Sequence, residues 1–196
     1  MNKGFLALPR VVGLLMLLAP AACHGPDAPP LAGAPIGGPF VLTDQDGRRF
    51  DSASLAGAYP IVYFGYTFCP DVCPMDMQML AAGLQAFAAR DRAASAKVVP
   101  IFVSVDPDRD KPQVLKDYLA NFGPQFVGLT GSPAEIKQVA REYAVFYSKG
   151  PAVPGGYAVG HSRVEYLFGP DGKPIALLTN EGPPEKIAAE LATWVH

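Results

Sequence analysis

Cys69 and Cys73 are separated by three residues in Cys69-Pro70-Asp71-Val72-Cys73-Pro74, a spacing that lets two sulfurs hold one soft metal or form and exchange a disulfide. Both chemistries use the thiolate, which the partial positive charge of a helix N-terminus favours. Each proline disfavours the α conformation in the residue before it, so both cysteines are expected outside regular helix. Pro74 then takes the first helical position, Cys73 is the N-cap, Asp76 is an acidic first-turn residue, and the helix runs to Arg90. His161 is the third candidate. Of the three histidines, His24 lies in a Pro/Gly-rich stretch and His196 is the last residue, so neither is held by a core. A lone histidine at a strand start is more often structural than a ligand, and residue types alone leave the role of His161 open. Met75, Met77 and Met79 offer thioethers, but the i,i+4 spacing of Met75 and Met79 fits core packing better.

The elements that must position these groups follow from the hydrophobic pattern. Residues 61–64 form an apolar run without polar alternation, as expected of a central strand covered on both faces, and it ends just before Cys69. Ligand sites of open α/β sheets lie beyond the carboxyl ends of such strands. Residues 40–43 and 48–50 flank Asp46-Gly47 and predict a β-hairpin. Residues 51–59 are a loop or short helix, 98–105 a second buried strand, and 106–110 a charged loop on the cysteines' edge of the sheet. A helix over 113–122, a strand over 126–129 and a capping box at Ser132-Pro133-Ala134-Glu135 opening a helix to about residue 144 come next. Residues 150–156 are rich in Gly and Pro and are expected to be a mobile loop. Beyond it, Gly160-His161-Ser162 begins a strand in which Val164, Tyr166 and Phe168 alternate with other residues; residues 174–178 pair with it, and 184–195 form a closing helix. This order predicts an α/β, thioredoxin-like fold: a central mixed sheet flanked by helices, with an added N-terminal β-hairpin.

Length and charge set outer bounds. The chain has 196 residues and a formal net charge of -2 with scattered basic residues, which gives no footprint for nucleic acid. Lys3 and Arg10, the apolar stretch 11–18 and the small residues up to Cys23 make residues 1–23 an export signal, too short in its apolar core for the roughly 20 residues of a membrane span. Leu18-Ala19-Pro20-Ala21-Ala22-Cys23 resembles a bacterial lipoprotein box except at Pro20, so lipidation of Cys23 stands beside a soluble exported protein starting near Ala22. Residues 24–39 are expected to be a tether, because nine of the fifteen residues 25–39 are Pro or Gly. Extended, it would reach about 45 Å. Residues 40–196 form the single domain. Setting Cys23 aside leaves one cysteine pair in an oxidising compartment, where it serves metal binding, redox chemistry or a disulfide.

The stretch Tyr63-Phe64-Gly65-Tyr66-Thr67-Phe68-Cys69-Pro70-Asp71-Val72-Cys73-Pro74, then Ser104-Val105-Asp106-Pro107-Asp108-Arg109-Asp110-Lys111-Pro112, Gly128-Leu129-Thr130-Gly131 and His161-Ser162-Arg163-Val164-Glu165-Tyr166-Leu167 together resemble the Sco (SenC) family. The resemblance runs from Phe40 to the C-terminus. It implies a copper-binding metallochaperone, more than an enzyme, that assists assembly of the CuA centre of cytochrome c oxidase, with Cys69, Cys73 and His161 as copper ligands. Soft thiolates with one imidazole suit copper, whereas zinc usually wants a fourth firm ligand. The implied partners are the oxidase subunit carrying CuA, other copper chaperones and thiol-disulfide oxidoreductases, in the bacterial periplasm at a membrane. The alternative is a thiol-disulfide oxidoreductase keeping exported cysteines reduced, although Cys-x-x-x-Cys differs from the usual Cys-x-x-Cys. This chain departs from the family at Gly160, where aspartate usually precedes the histidine, and at Phe68, where relatives often place a polar residue.

Overall fold

The computed structural model describes Met1 and residues 28–153, 156–179 and 181–196. The stretch expected to be an export signal, apart from Met1, and Cys23 and His24 lie outside the described residues. In chain order the strands and helices are β1 (Val41–Asp44), β2 (Arg49–Asp51), β3 (Tyr59–Gly65), α1 (Val72–Arg90), the single turn α2 (Arg92–Ser95), β4 (Val98–Ser104), α3 (Pro112–Leu119), β5 (Val127–Thr130), α4 (Pro133–Glu142), β6 (Tyr147–Val153), β7 (Gly156–His161), β8 (Glu165–Phe168), β9 (Pro174–Leu178) and α5 (Glu185–Trp194). A 3-10 turn at Ser52–Leu55 fills the loop before β3. Among the described residues no helix is long and apolar enough to cross a membrane.

Seven strands form one mixed sheet in the order β2-β1-β5-β4-β3-β8-β9. β3 is central, parallel to β4 and antiparallel to β8, and each of its residues is buried, as its unbroken apolar run requires. Pro60 and Pro100 lie within β3 and β4 just before the second neighbouring strand begins to pair, so the sheet tolerates their missing N–H groups. The predicted hairpin is β1–β2, turned at Gly47 (φ 77°), and it joins the main sheet because β1 also pairs with β5. On one face Tyr63 and Phe102 meet α1 and α3, through the Tyr63 hydroxyl on Asp76 and the Phe102 ring 5.5 Å from Tyr118. α5 packs against α1 on the same face. On the other face Phe64 lies 5.5 Å from Tyr143, just after α4.

Several expectations need correction. Residues 150–156 are not a loop: β6 and β7 form a separate two-stranded antiparallel hairpin. Its register shifts between Lys149 and Ala152, and that irregularity takes up Gly150 and Pro151, which a regular ladder would reject. His161 therefore ends β7 and does not begin β8. β8 is buried at all four residues, Glu165 included, so the expected alternation is absent; it lies between β3 and β9 and is covered on both faces. The described part of the stretch expected to be a tether is strapped to the body. Leu31 N–H donates to the Ile175 carbonyl of β9 at 2.9 Å, Gly37 N–H donates to the Glu142 carbonyl at 2.8 Å, and Leu31 and Ile36 pack on the core. Apolar side chains spaced among the prolines give that segment something to bury, which a free tether lacks.

Candidate metal centre

After Gly65 the chain leaves β3 through Tyr66, Thr67 and Phe68 to Cys69. Asp110, fully buried at the end of the charged loop, fixes this exit. Its carboxylate accepts from the Thr67 N–H (3.0 Å), the Thr67 hydroxyl (2.7 Å) and the Ser104 hydroxyl (2.6 Å). The charged loop thus sits on the cysteines' edge, but Asp106 and Asp110 are buried rather than solvated.

α1 begins one residue before Cys73, which is the second helical residue and not the cap; the N-cap is Asp71, without a side-chain cap bond. Pro74 is tolerated because first-turn N–H groups have no intrahelical acceptor to lose. Asp76 consequently falls past the first turn. The free Cys73 N–H points instead at the Cys69 sulfur, 3.5 Å away. The electrostatics then separate the two cysteines, both of them free thiols. Burial opposes ionisation of Cys69, yet hydrogen bonds from the Cys73 and Asp71 backbone hold its thiol below the ordinary range. Burial pushes the Cys73 thiol up to about 12, overriding the hydrogen bond it draws from the Tyr66 backbone. The lowering that a helix N-terminus favours thus appears at Cys69 and fails at Cys73, where depth outweighs the helix terminus.

His161 arrives from the end of β7. Its Nε2 lies 3.2 Å from the Cys73 sulfur, across 88 residues of sequence, and its Nδ1 lies 3.0 Å from the Ser162 carbonyl oxygen. A carbonyl can only accept, so Nδ1 carries the proton and Nε2 turns its lone pair to Cys73. The edges of Tyr63 and Tyr66 frame the ring, with centroids at 6.1 and 5.9 Å. Gly160 is exposed, and the Ser162 carbonyl orients the imidazole where the family's aspartate is missing. The structure brings Cys73 and His161 into contact and Cys69 to the Cys73 N–H. Among the described residues no three His, Cys, Asp or Glu side chains are grouped as a ready-made metal cluster.

Sequence reasoning missed the layer beneath. Asp76 is buried and takes a two-pronged ion pair from Arg163, with Nε 2.9 and 2.7 Å from its two oxygens, while the Tyr63 hydroxyl donates to it at 3.0 Å. No local spacing announces a pair drawn from α1 and from the link between β7 and β8. Among the methionines, Met77 is the core residue, Met79 is half-buried and packs on the core, and Met75 is 58% exposed, which corrects the expectation for Met75. At i,i+4 spacing one residue of a pair can still fall on the rim of the buried stripe, here on the turn that meets the cysteine loop.

Comparison with known proteins gives one direction. The SCO1/SenC family model matches residues 28–196. The mitochondrial SCO1 homolog 1 of Arabidopsis thaliana is 44% identical over 145 residues, covering 74% of this chain and 42% of that protein. The chain spans about half the length of the curated relatives it matches. Among solved structures, Bradyrhizobium japonicum ScoI with copper bound is 41% identical with a TM-score of 0.74, over 82% of this chain and 99% of that one. A SCO1/SenC family lipoprotein from Bacillus anthracis is 29% identical with a TM-score of 0.67, over 80% and 93%.

Proposed function

The chain belongs to the SCO1/SenC family, and on that premise we propose that it captures copper through Cys69, Cys73 and His161 and delivers it to the subunit of cytochrome c oxidase that carries CuA. The observation that carries this reading is the 3.2 Å contact between the Cys73 sulfur and His161 Nε2. A thiol at that depth beside an imidazole lone pair is poised to trade its proton for a soft cation. The donors also imply an order. Cys69, the less buried of the two sulfurs, would meet the incoming Cu(I) first, and the Cys73–His161 pair would complete the site, the Cys73 proton leaving as copper binds. Release runs in reverse, with Cys69 the ligand that a partner's thiolates exchange first. Thiol-disulfide exchange alone needs an attacking thiolate and a resolving thiol, with no obligatory imidazole.

The test is a competition titration of the reduced protein with Cu(I) against a chelator of known affinity, for the parent, Cys69→Ala and His161→Ala. Loss of the imidazole should weaken binding by more than the roughly 10–100-fold that removal of a supporting residue costs a metal site. An unchanged affinity in His161→Ala would make the histidine structural. In cells His161→Ala should impair oxidase assembly about as severely as Cys69→Ala, with partial rescue by added copper; full oxidase activity at limiting copper would favour the reductase.

We also propose that the protein is exported to the periplasm and held at the membrane through a lipid on Cys23, supported by the apolar stretch and the small residues before it. Mass spectrometry of the mature N-terminus decides. A diacylated Cys23 is expected, and an unmodified chain beginning near Ala22 would count against the anchor.

A further inference from the structure

The hairpin that ends in His161 shares no strand pairing with the main sheet, so something other than a ladder must hold it over the cysteines. At its base Ser162 N–H donates to the Phe146 carbonyl at 2.8 Å and the Ser162 hydroxyl accepts from Phe146 N–H at 3.0 Å. These fix where the hairpin starts; beyond them Val159 packs on the core, and the Lys149–Asp108 pair at 3.3 Å is exposed and adds little. The second fixed point is Arg109. Its guanidinium carbon lies 3.7 Å from the centroid of the Tyr157 ring on β7, 4.8 Å from Phe68 and 5.7 Å from Tyr66, the latter two both on the cysteine loop. Its Nε pairs with Asp106, and the same carboxylate accepts from the Tyr157 hydroxyl at 2.7 Å. Arg109 Nη2 is buried without a hydrogen-bond acceptor among the described residues, and ring faces, more than polar partners, surround the guanidinium. Gly156 makes room at the hairpin's turn, since a Cβ there would stand 3.3 Å from Arg109 Nη1.

We infer that Arg109 is the positioning residue that locks the His161 hairpin to the cysteine loop, so that the imidazole meets Cys73 already in place. Arg109 touches neither Cys73 nor His161 in this arrangement; it acts by joining the two segments that carry them. A planar cation is required because one side chain must lie against Tyr157 and Phe68 together, which the compact ammonium of lysine cannot do while also reaching Asp106. The inference rests on His161 being a copper ligand.

The experiment is a Cu(I) competition titration of the reduced protein as Arg109→Gln, Arg109→Lys, His161→Ala and the double variant Arg109→Gln/His161→Ala, with thermal unfolding of each recorded alongside. Arg109→Gln and Arg109→Lys should each weaken binding about tenfold, the size expected of a residue that orients a ligand. In the His161→Ala background Arg109→Gln should cost nothing further, because the only ligand it positions is already gone. A general loss of structure would weaken copper binding in both backgrounds, and that additive result overturns the inference. So does an Arg109→Gln or Arg109→Lys variant that binds like the parent while His161→Ala does not. If His161→Ala itself binds like the parent, the ligand reading falls and the clamp falls with it.

Discussion

Glu165 is fully buried beside the Asp76–Arg163 pair, and among the described residues neither of its carboxylate oxygens has a hydrogen-bond partner. Burial pushes its pKa up to about 8, the Asp76 charge adds to the rise, Arg163 opposes it and Glu190 on α5 adds a little more. The folded chain therefore keeps a proton that the unfolded chain gives up near 4.5, and stability falls as pH rises from that value towards 8. The slope is about 1.4 kcal/mol per pH unit for one such group. Glu165→Gln keeps the shape without the charge, so it should be the more stable protein near the upper end of that range and lose most of the slope. Denaturant unfolding of both proteins at several pH values checks this, and an unchanged slope in the variant would show that the carboxyl is not the titrating group. At this scale the sequence was uneven. Cys69 and Cys73 declare themselves by spacing, but their opposite acidities depend on depth, and placement sets His161 apart from the other two histidines while only the family resemblance makes it a ligand. Glu165 was hidden because a strand taken as alternating gives no reason to suspect a buried acid.

Local signals were read most reliably where the backbone itself states them. The capping box forms as expected, with the Ser132 hydroxyl accepting from Glu135 N–H and the Glu135 carboxylate accepting from Ser132 N–H at 2.7 Å. Ser132→Ala should cost about 0.5–2 kcal/mol, visible as a lower midpoint in thermal unfolding, and a change within error would mean that the packing of α4 alone holds its first turn. The β6–β7 hairpin was illegible for the opposite reason. Gly150 and Pro151 belong to loops by local preference, and only pairing with β7 and the irregularity beside Lys149 make them strand. The start of α1 was missed in the same way: proline forbids little in a first turn, and the Cys73 N–H is more useful aimed at a sulfur than satisfied by a cap.

At the scale of the molecule a central apolar strand and a hairpin signal at each end put the mixed sheet within reach, whereas the strand order, with β5 between β1 and β4, comes only from the pairing. What composition concealed was the strap of residues 28–39, since proline and glycine counts describe stiffness and say nothing of what Leu31 and Ile36 will bury. A sheet with open sides invites another chain to add a strand, and small α/β domains guard against it by keeping outer strands short, charged or covered. Here the outer strand β2 has three residues, with Arg49 and Asp51 exposed, while β9 is longer and leaves Leu177 exposed. Leu31 is the guard on that side, because its N–H occupies the Ile175 carbonyl. A protein lacking residues 28–36 should lose stability and, more tellingly, associate as its concentration rises, which sedimentation velocity would resolve as a growing fast component; a monomer at every concentration would leave β9 safe without help. On that expectation the segment ahead of Phe40 does more than lead into the domain: it would keep neighbouring copies from polymerising edge to edge when they are crowded together.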